Sequence, residues 1–160
     1  MKVKKIILFW LLSLLFAGCV SSCEKKDDSP NTEQNTENNN PPTMNGKIKL
    51  TIGSKRFTAT LTDNNSAKAF KQLLPLTLSM NELNGNEKYG ILSSALPTNA
   101  SSVGSIQTGD LMLYGNDCLV LFYKSFSSSY SYTIIVRIDD VTDLATTVGQ
   151  GNISIKIETE

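Results

Sequence analysis

The chain of 160 residues has no histidine, only three cysteines and a single tryptophan, and its 15 Lys and Arg are balanced by 15 Asp and Glu. Each shortage closes off a class of function. Without imidazole there is no Ser-His-Asp or Cys-His nucleophilic site, no His-ligated zinc and no imidazole proton relay. Balanced charge gives no global reason to displace counterions from phosphates, so no nucleic-acid partner is expected. Cysteines at positions 19, 23 and 118 do not make a disulfide scaffold. No spacing of ligand residues implies a metal, and no cofactor is expected. The length suits one domain of about 100–200 residues.

What is present begins with a processing signal. Lys2, Lys4 and Lys5 form a positive start, and Ile6 to Ala17 is an almost unbroken apolar run holding the lone Trp10. A comfortable helical span takes about 20 apolar residues, so residues 1–22 read as a cleaved signal rather than an anchor. Small residues lead into cysteine twice, at Phe16-Ala17-Gly18-Cys19 and Val20-Ser21-Ser22-Cys23. Both resemble the lipobox of bacterial lipoproteins. The branched Val20 three positions ahead favours Cys23 as the lipidated residue, with Cys19 as the alternative. Glu24-Lys25-Lys26-Asp27-Asp28 resembles the surface-export signal that follows the lipidated cysteine in Bacteroidetes lipoproteins. The implied location is the bacterial outer membrane, lipid-anchored, periplasmic or surface-exposed. Loss of residues 1–22 removes three lysines and no acids, leaving a mildly acidic chain. The partner expected for its N-terminus is therefore the membrane, reached through lipid rather than basic residues.

Residues 23–45 are almost free of apolar side chains and rich in Asn, Glu, Thr, Ser and Pro. Such a stretch cannot bury enough surface to offset its ordering entropy and reads as a disordered tether. From residue 46 to 160 the pattern is that of one domain. Ile48, Leu50 and Ile52, then Phe57, Ala59 and Leu61, alternate around Gly53-Ser54 as a hairpin. Asp63 to Ser66 offers capping chemistry before Ala67, Phe70, Leu73 and Leu74 at helical spacing, and Pro75 ends that helix. Leu76, Leu78 and Met80 return to period two. Residues 81–88 read as a polar loop and residues 93–105 as irregular. Leu111–Tyr114 and Cys118–Tyr123 are two apolar runs joined by a turn, and their continuous hydrophobicity predicts burial on both faces. Tyr130, Tyr132, Ile134, Val136 and Ile138 alternate along a further strand. Val141, Leu144, Ala145 and Val148 then follow a helical pattern closed by Gly149, and Ile153, Ile155 and Ile157 end the chain. Seven or eight strands with two short helices predict a mainly β, closed barrel, with the helices capping its ends and the first and last strands paired.

Several of these stretches, taken in order, resemble the cyclophilin-like family of bacterial secreted proteins. They are Thr51-Ile52-Gly53 with Phe57 to Leu61, Ser66 to Leu76, Leu83 to Gly90, Gly109 to Tyr114, Cys118 to Tyr123, Ser129 to Tyr132, and Arg137-Ile138. The resemblance implies an eight-stranded β-barrel capped by two short helices over roughly residues 47–158. True cyclophilins isomerise X-Pro bonds with the arginine of a Phe-His-Arg motif, a glutamine in a Ser-Gln-Phe-Phe strand, and Phe, Trp and His around the proline pocket. Here the nearest strand is Cys118-Leu119-Val120-Leu121-Phe122, with no glutamine, and there is no Phe-His-Arg. Beyond the signal only Arg56 and Arg137 remain as arginines, and no Trp or His. The family shares the fold, and fold alone does not carry activity. The expectation is a non-catalytic binding or interaction module, with a divergent peptidyl-prolyl isomerase as the alternative.

The candidate binding residues are Glu87, Tyr89, Tyr114, Tyr123, Phe126, Tyr130, Tyr132 and Arg137. Tyrosines give broad apolar area and a hydroxyl at small entropic cost, which suits a peptide or glycan ligand. Against them stand plainer readings: rings that fill the barrel, a solvated loop around Glu87 and Lys88, and a surface ion pair for Arg137. Asp140 is expected to cap the second helix with Asp143 at its positive end. Cys118 is expected to be a buried small apolar residue. The domain is expected to be a monomer.

Overall fold

The alternation that opens the domain becomes a hairpin in the computed structural model, which describes residues 44–160. β1 (Met44–Ile52) and β2 (Lys55–Thr62) pair antiparallel around Gly53, whose φ of 57° lies in the left-handed region that glycine enters without strain. Ile48, Leu50 and Ile52 face Phe57, Ala59 and Leu61 in the same buried core. β1 begins at Met44, so the last two residues of the predicted tether belong to the barrel. The predicted signal, the lipidation residue (Cys23 or Cys19) and the rest of the tether lie outside the described residues.

α1 (Asn65–Lys71) is capped by Asn64, whose Oδ1 accepts from the Ala67 amide at 2.7 Å. The same side chain donates through Nδ2 to the Ile134 carbonyl at 2.8 Å, so one residue both starts the helix and ties it to a strand. Phe70 and Ala67 enter the core. β3 (Leu76–Leu83) and β4 (Glu87–Ile91) form the next hairpin. β5 (Ser101–Ile106) follows, then β6 (Asp110–Tyr114), β7 (Cys118–Phe122), the 13-residue β8 (Phe126–Ile138), α2 (Leu144–Val148) and β9 (Ile153–Thr159).

Every strand pairing is antiparallel. The order β2-β1-β9-β3-β4-β7-β6-β8 closes on itself through β2–β8, giving an eight-stranded barrel with the first and last strands paired. β5 is a ninth strand outside the ring, bonded to the N-terminal half of β8. Closure satisfies the edges that an open sheet would expose. Among the described residues there are two helices, and neither is long and apolar enough to cross a membrane.

The structure corrects four local expectations. Residues 81–88 are not a loop: Asn81, Glu82 and Leu83 pair with Tyr89, Lys88 and Glu87, leaving only Asn84–Asn86 as the turn. The polar side chains misled because one face of this hairpin is packed with paired polar groups rather than with hydrocarbon. Residues 101–106 form β5, hidden by small residues with no apolar alternation. α2 is a five-residue helix whose first-turn groups differ from expectation. Asp140 Oδ1 instead accepts from Thr142 N at 2.9 Å, while Asp143, at a φ of 64°, makes no side-chain cap and pairs with Lys55 at 3.1 Å.

The last correction concerns β8. Its apparent single face changes sides at a bulge, because Met112 pairs with Ile134 but Leu111 pairs with Val136, leaving Ile135 as an extra residue. Val136 and Ile138 therefore join the barrel core, whereas Tyr132 and Ile134 join a second cluster with Ile106, Met112, Val120 and Phe122. This second cluster lies on the other face of β6 and β7, which accounts for their unbroken hydrophobicity. Phe122 meets Tyr132 edge-on at 5.4 Å and Phe126 at 5.7 Å, geometries worth about 0.5–1.5 kcal/mol each beyond burial.

Candidate functional site

Strand parity decides which sequence candidates meet. Glu87, Tyr89 and Ile91 share one face of β4, and Cys118, Val120 and Phe122 share the facing side of β7, with Glu87 opposite Phe122 and Tyr89 opposite Val120. Tyr114 comes from the end of β6, and Tyr130 and Tyr132 from the N-terminal half of β8 before the bulge. These elements enclose a cleft of about 330 Å³ lined by Leu83, Asn84, Glu87, Tyr89, Tyr114, Cys118, Val120, Tyr130 and Tyr132. That volume is at the small end for ligand sites, which run about 300–1,000 Å³.

The rings form a corner rather than a stack. Tyr114 and Tyr130 stand at 89° with centroids 6.2 Å apart, and Tyr114 and Tyr132 at 53° and 5.7 Å. Tyr130 is 62% exposed and Tyr114 49%, while Tyr132 is buried against Phe122. Glu87 is only 8% exposed. Burial pushes its carboxyl above the ordinary value, the nearby Glu82 charge adds to this, and a 3.4 Å hydrogen bond donated by Asn84 Nδ2 opposes it. Burial and Glu87 together also raise the Tyr132 hydroxyl. The Cys118 thiol is raised by burial, Asp117 and Glu87, which keeps it protonated and a poor nucleophile.

Five of the eight candidates thus converge: Glu87, Tyr89, Tyr114, Tyr130 and Tyr132. Three do not. Phe126 packs on Phe122 in the second cluster. Arg137 donates through Nε to the buried Asp110 at 2.7 Å, away from the cleft. Tyr123 points to the opposite side of the β4–β7 sheet. Its hydroxyl donates to Glu82 at 2.7 Å, and burial with the Glu82 hydrogen bond pushes it up to about 12.

Lys88 belongs with Tyr123. The solvated-loop reading fails here, because Lys88 is fully buried. Its Nζ donates to Glu82, to the Gly149 carbonyl at 2.9 Å and to the Gly151 carbonyl at 2.7 Å, and lies 5.2 Å from the Tyr123 ring centre. Burial alone would raise the Glu82 carboxyl, but the hydrogen bonds from Lys88 and Tyr123 outweigh it and hold the group below its ordinary value. Adjacent residues 87 and 88 therefore serve opposite faces of one strand, one a cleft and the other an internal tie.

Among the described residues no group of three or more Cys, Asp or Glu is placed to hold a metal ion. The acidic run near α2 disperses: Asp139 pairs with Lys47 at 2.7 Å and Asp143 with Lys55. Sequence reasoning missed Leu83, Asn84, Cys118 and Val120 as cleft residues. The signal for Cys118 and Val120 was available, since period two places them on the β7 face with Phe122.

The sequence profile of the Cyclophilin-like family matches residues 50–158. The chain belongs to the cyclophilin-like family. This family member is similar in structure to a hypothetical protein from Archaeoglobus fulgidus solved in solution, with a TM-score of 0.54 and 17% identity over 72% of this chain and 95% of that one. It is also similar to McbB, whose structure is in complex with tryptophan, with a TM-score of 0.52 and 14% identity over 71% of this chain. The match covers 44% of McbB, so this chain spans less than half of that protein. At such identities the likeness concerns the fold alone. No curated protein matches the chain.

Proposed function

We propose that this cyclophilin-like chain is a lipid-anchored, monomeric binding module of the bacterial cell envelope, attached to the outer membrane through Cys23 or else Cys19. Its ligand, a peptide or glycan, is held in the aromatic cleft. The single observation that carries this reading is the convergence of Glu87, Tyr89, Tyr114, Tyr130 and Tyr132 from three strands onto one small cleft. Exposed rings at the rim, with the buried Tyr132 and a nearly buried carboxylate behind them, combine apolar contact area with one orienting polar group, the usual make-up of a ligand site. In the same reading α1 and α2 plug the barrel's ends, supported by Phe70, Leu144 and Val148 reaching its core.

The rival reading, a divergent peptidyl-prolyl isomerase, has less support. It would want a guanidinium over an apolar hollow, and Arg137 is instead engaged by Asp110.

The chain's five tyrosines provide the test, since four line the cleft and Tyr123 does not. With 3-fluorotyrosine incorporated in the full chain, peptide and glycan libraries are expected to contain probes that shift the four cleft resonances and leave that of Tyr123 in place. Acceleration of X-Pro isomerisation that Arg137→Ala abolishes would overturn the reading in favour of catalysis. For the anchor, fatty-acid labelling should vanish in Cys23→Ala. Loss only in Cys19→Ala would move the lipid to the alternative.

A further inference from the structure

The cleft carries an imbalance of charge that its own lining does not correct. Of the nine residues that enclose it, one is an acid and none is a base. Glu87 is nearly buried and receives a side-chain hydrogen bond only from the neutral Asn84, at 3.4 Å. The cation next to it in sequence, Lys88, is turned to the other face of β4 by strand alternation, and all three of its protons are used there. A buried carboxylate calls for a paired charge, and none of the lining side chains supplies one.

The remaining walls are suited to the same kind of ligand. Tyr114, Tyr130 and Tyr132 meet at wide angles, with centroids 5.7 and 6.2 Å apart. Tyrosine rings lining one small volume beside a carboxylate attract an organic cation through the ring faces turned toward it. A strongly hydrated metal ion would gain little from such walls, and an anion would be repelled by Glu87. A neutral sugar could bond to the Asn84 amide and the tyrosine hydroxyls but would leave the Glu87 charge unpaired. A volume of about 330 Å³ also favours one head group over an extended segment.

From this combination we infer that the cleft recognises an organic ammonium group, with a trimethylammonium head seated between the Tyr114, Tyr130 and Tyr132 rings and its charge facing the Glu87 carboxylate. The inference rests on the reading of this cleft as the ligand site and adds the chemistry of what enters it, a cationic head group carried by the peptide or glycan of that reading.

The test titrates the full, fluorotyrosine-labelled chain with choline and with the uncharged carbon isostere of choline, which has the same shape. Choline should shift the cleft tyrosines and leave Tyr123 unmoved, and the isostere should bind at least about tenfold more weakly. Glu87→Gln should weaken choline about tenfold and leave the isostere unchanged, and Tyr130→Ala, at an exposed position, should weaken both. Equal binding of the two probes, or choline affinity insensitive to Glu87→Gln, would overturn the inference. A peptide or glycan that shifts the cleft resonances where choline does not would also overturn it, while sparing the binding reading. If choline, peptide and glycan probes all leave those resonances in place, both fall together.

Discussion

Replacing Lys88 by methionine removes an ammonium while keeping a flexible stem of similar length. The wild-type Nζ is fully buried and uses its three protons on Glu82 and on the carbonyls of Gly149 and Gly151. In Lys88→Met the two carbonyls lose their donor, and a buried acceptor left unpaired costs about 1–3 kcal/mol. Glu82 keeps the Tyr123 hydroxyl at 2.7 Å and the Gly85 amide at 2.9 Å, and its side chain is 22% exposed, so water can compensate part of its charge. Removing one partner of a buried ion pair costs about 3–5 kcal/mol. The partial exposure of Glu82 places this case at the lower end, about 3 kcal/mol. Against a total stability of about 5–15 kcal/mol, that is a large share. For a domain of this size it should lower the melting temperature by about 12 °C.

The assay is urea unfolding followed by circular dichroism, with an unchanged m-value confirming that the same surface unfolds. Because Lys88 and Glu82 face each other directly across β3 and β4, the double variant Glu82→Gln/Lys88→Met should lose less than the sum of the two single variants. A loss below about 1 kcal/mol in Lys88→Met, the scale of an exposed ion pair, would refute the reasoning. It would mean that water reaches this ammonium and that it does not tie the β3–β4 hairpin to the segment after α2.

Glu87→Gln should behave in the opposite sense. A carboxyl raised above its ordinary value of 4.5 holds its proton more tightly in the folded state, so its contribution to stability declines as pH rises through the raised value. The glutamine variant should therefore melt higher than wild type near neutral pH, with the gap closing below about pH 4, and a gap independent of pH would contradict this. Gly90→Ala tests packing inside the barrel. An added Cβ would stand 2.7 Å from the Ser79 carbonyl oxygen and 2.8 Å from Leu78, so about 1–3 kcal/mol should be lost. A urea midpoint equal to wild type would show that the strands can part without cost.

Much of the architecture was legible because it depends on period alone. The β1–β2 hairpin, the apolar β6–β7 pair, the Asn64-started helix and the isoleucines of β9 are written as local patterns, and closure follows from their number. β5 and the β3–β4 hairpin were not legible, since their residues are small or polar and gain their partners only through cross-strand contacts. Tyr132 and Val136 looked like members of one face, and only the bulge at Ile135, imposed by pairing with β6, separates them.

The candidate site divides along the same line. The sequence by itself determined a charge-balanced chain without imidazole, an apolar pair of strands buried on both sides, and a supply of tyrosines near its end. Tertiary structure alone decided that four of the five tyrosines share a cleft with Glu87 while Tyr123 joins Lys88 behind the sheet. The physical reason is that alternation assigns a side chain to a face, but which faces meet, and which charges are left facing each other, depends on strand register and barrel closure between residues far apart in the chain.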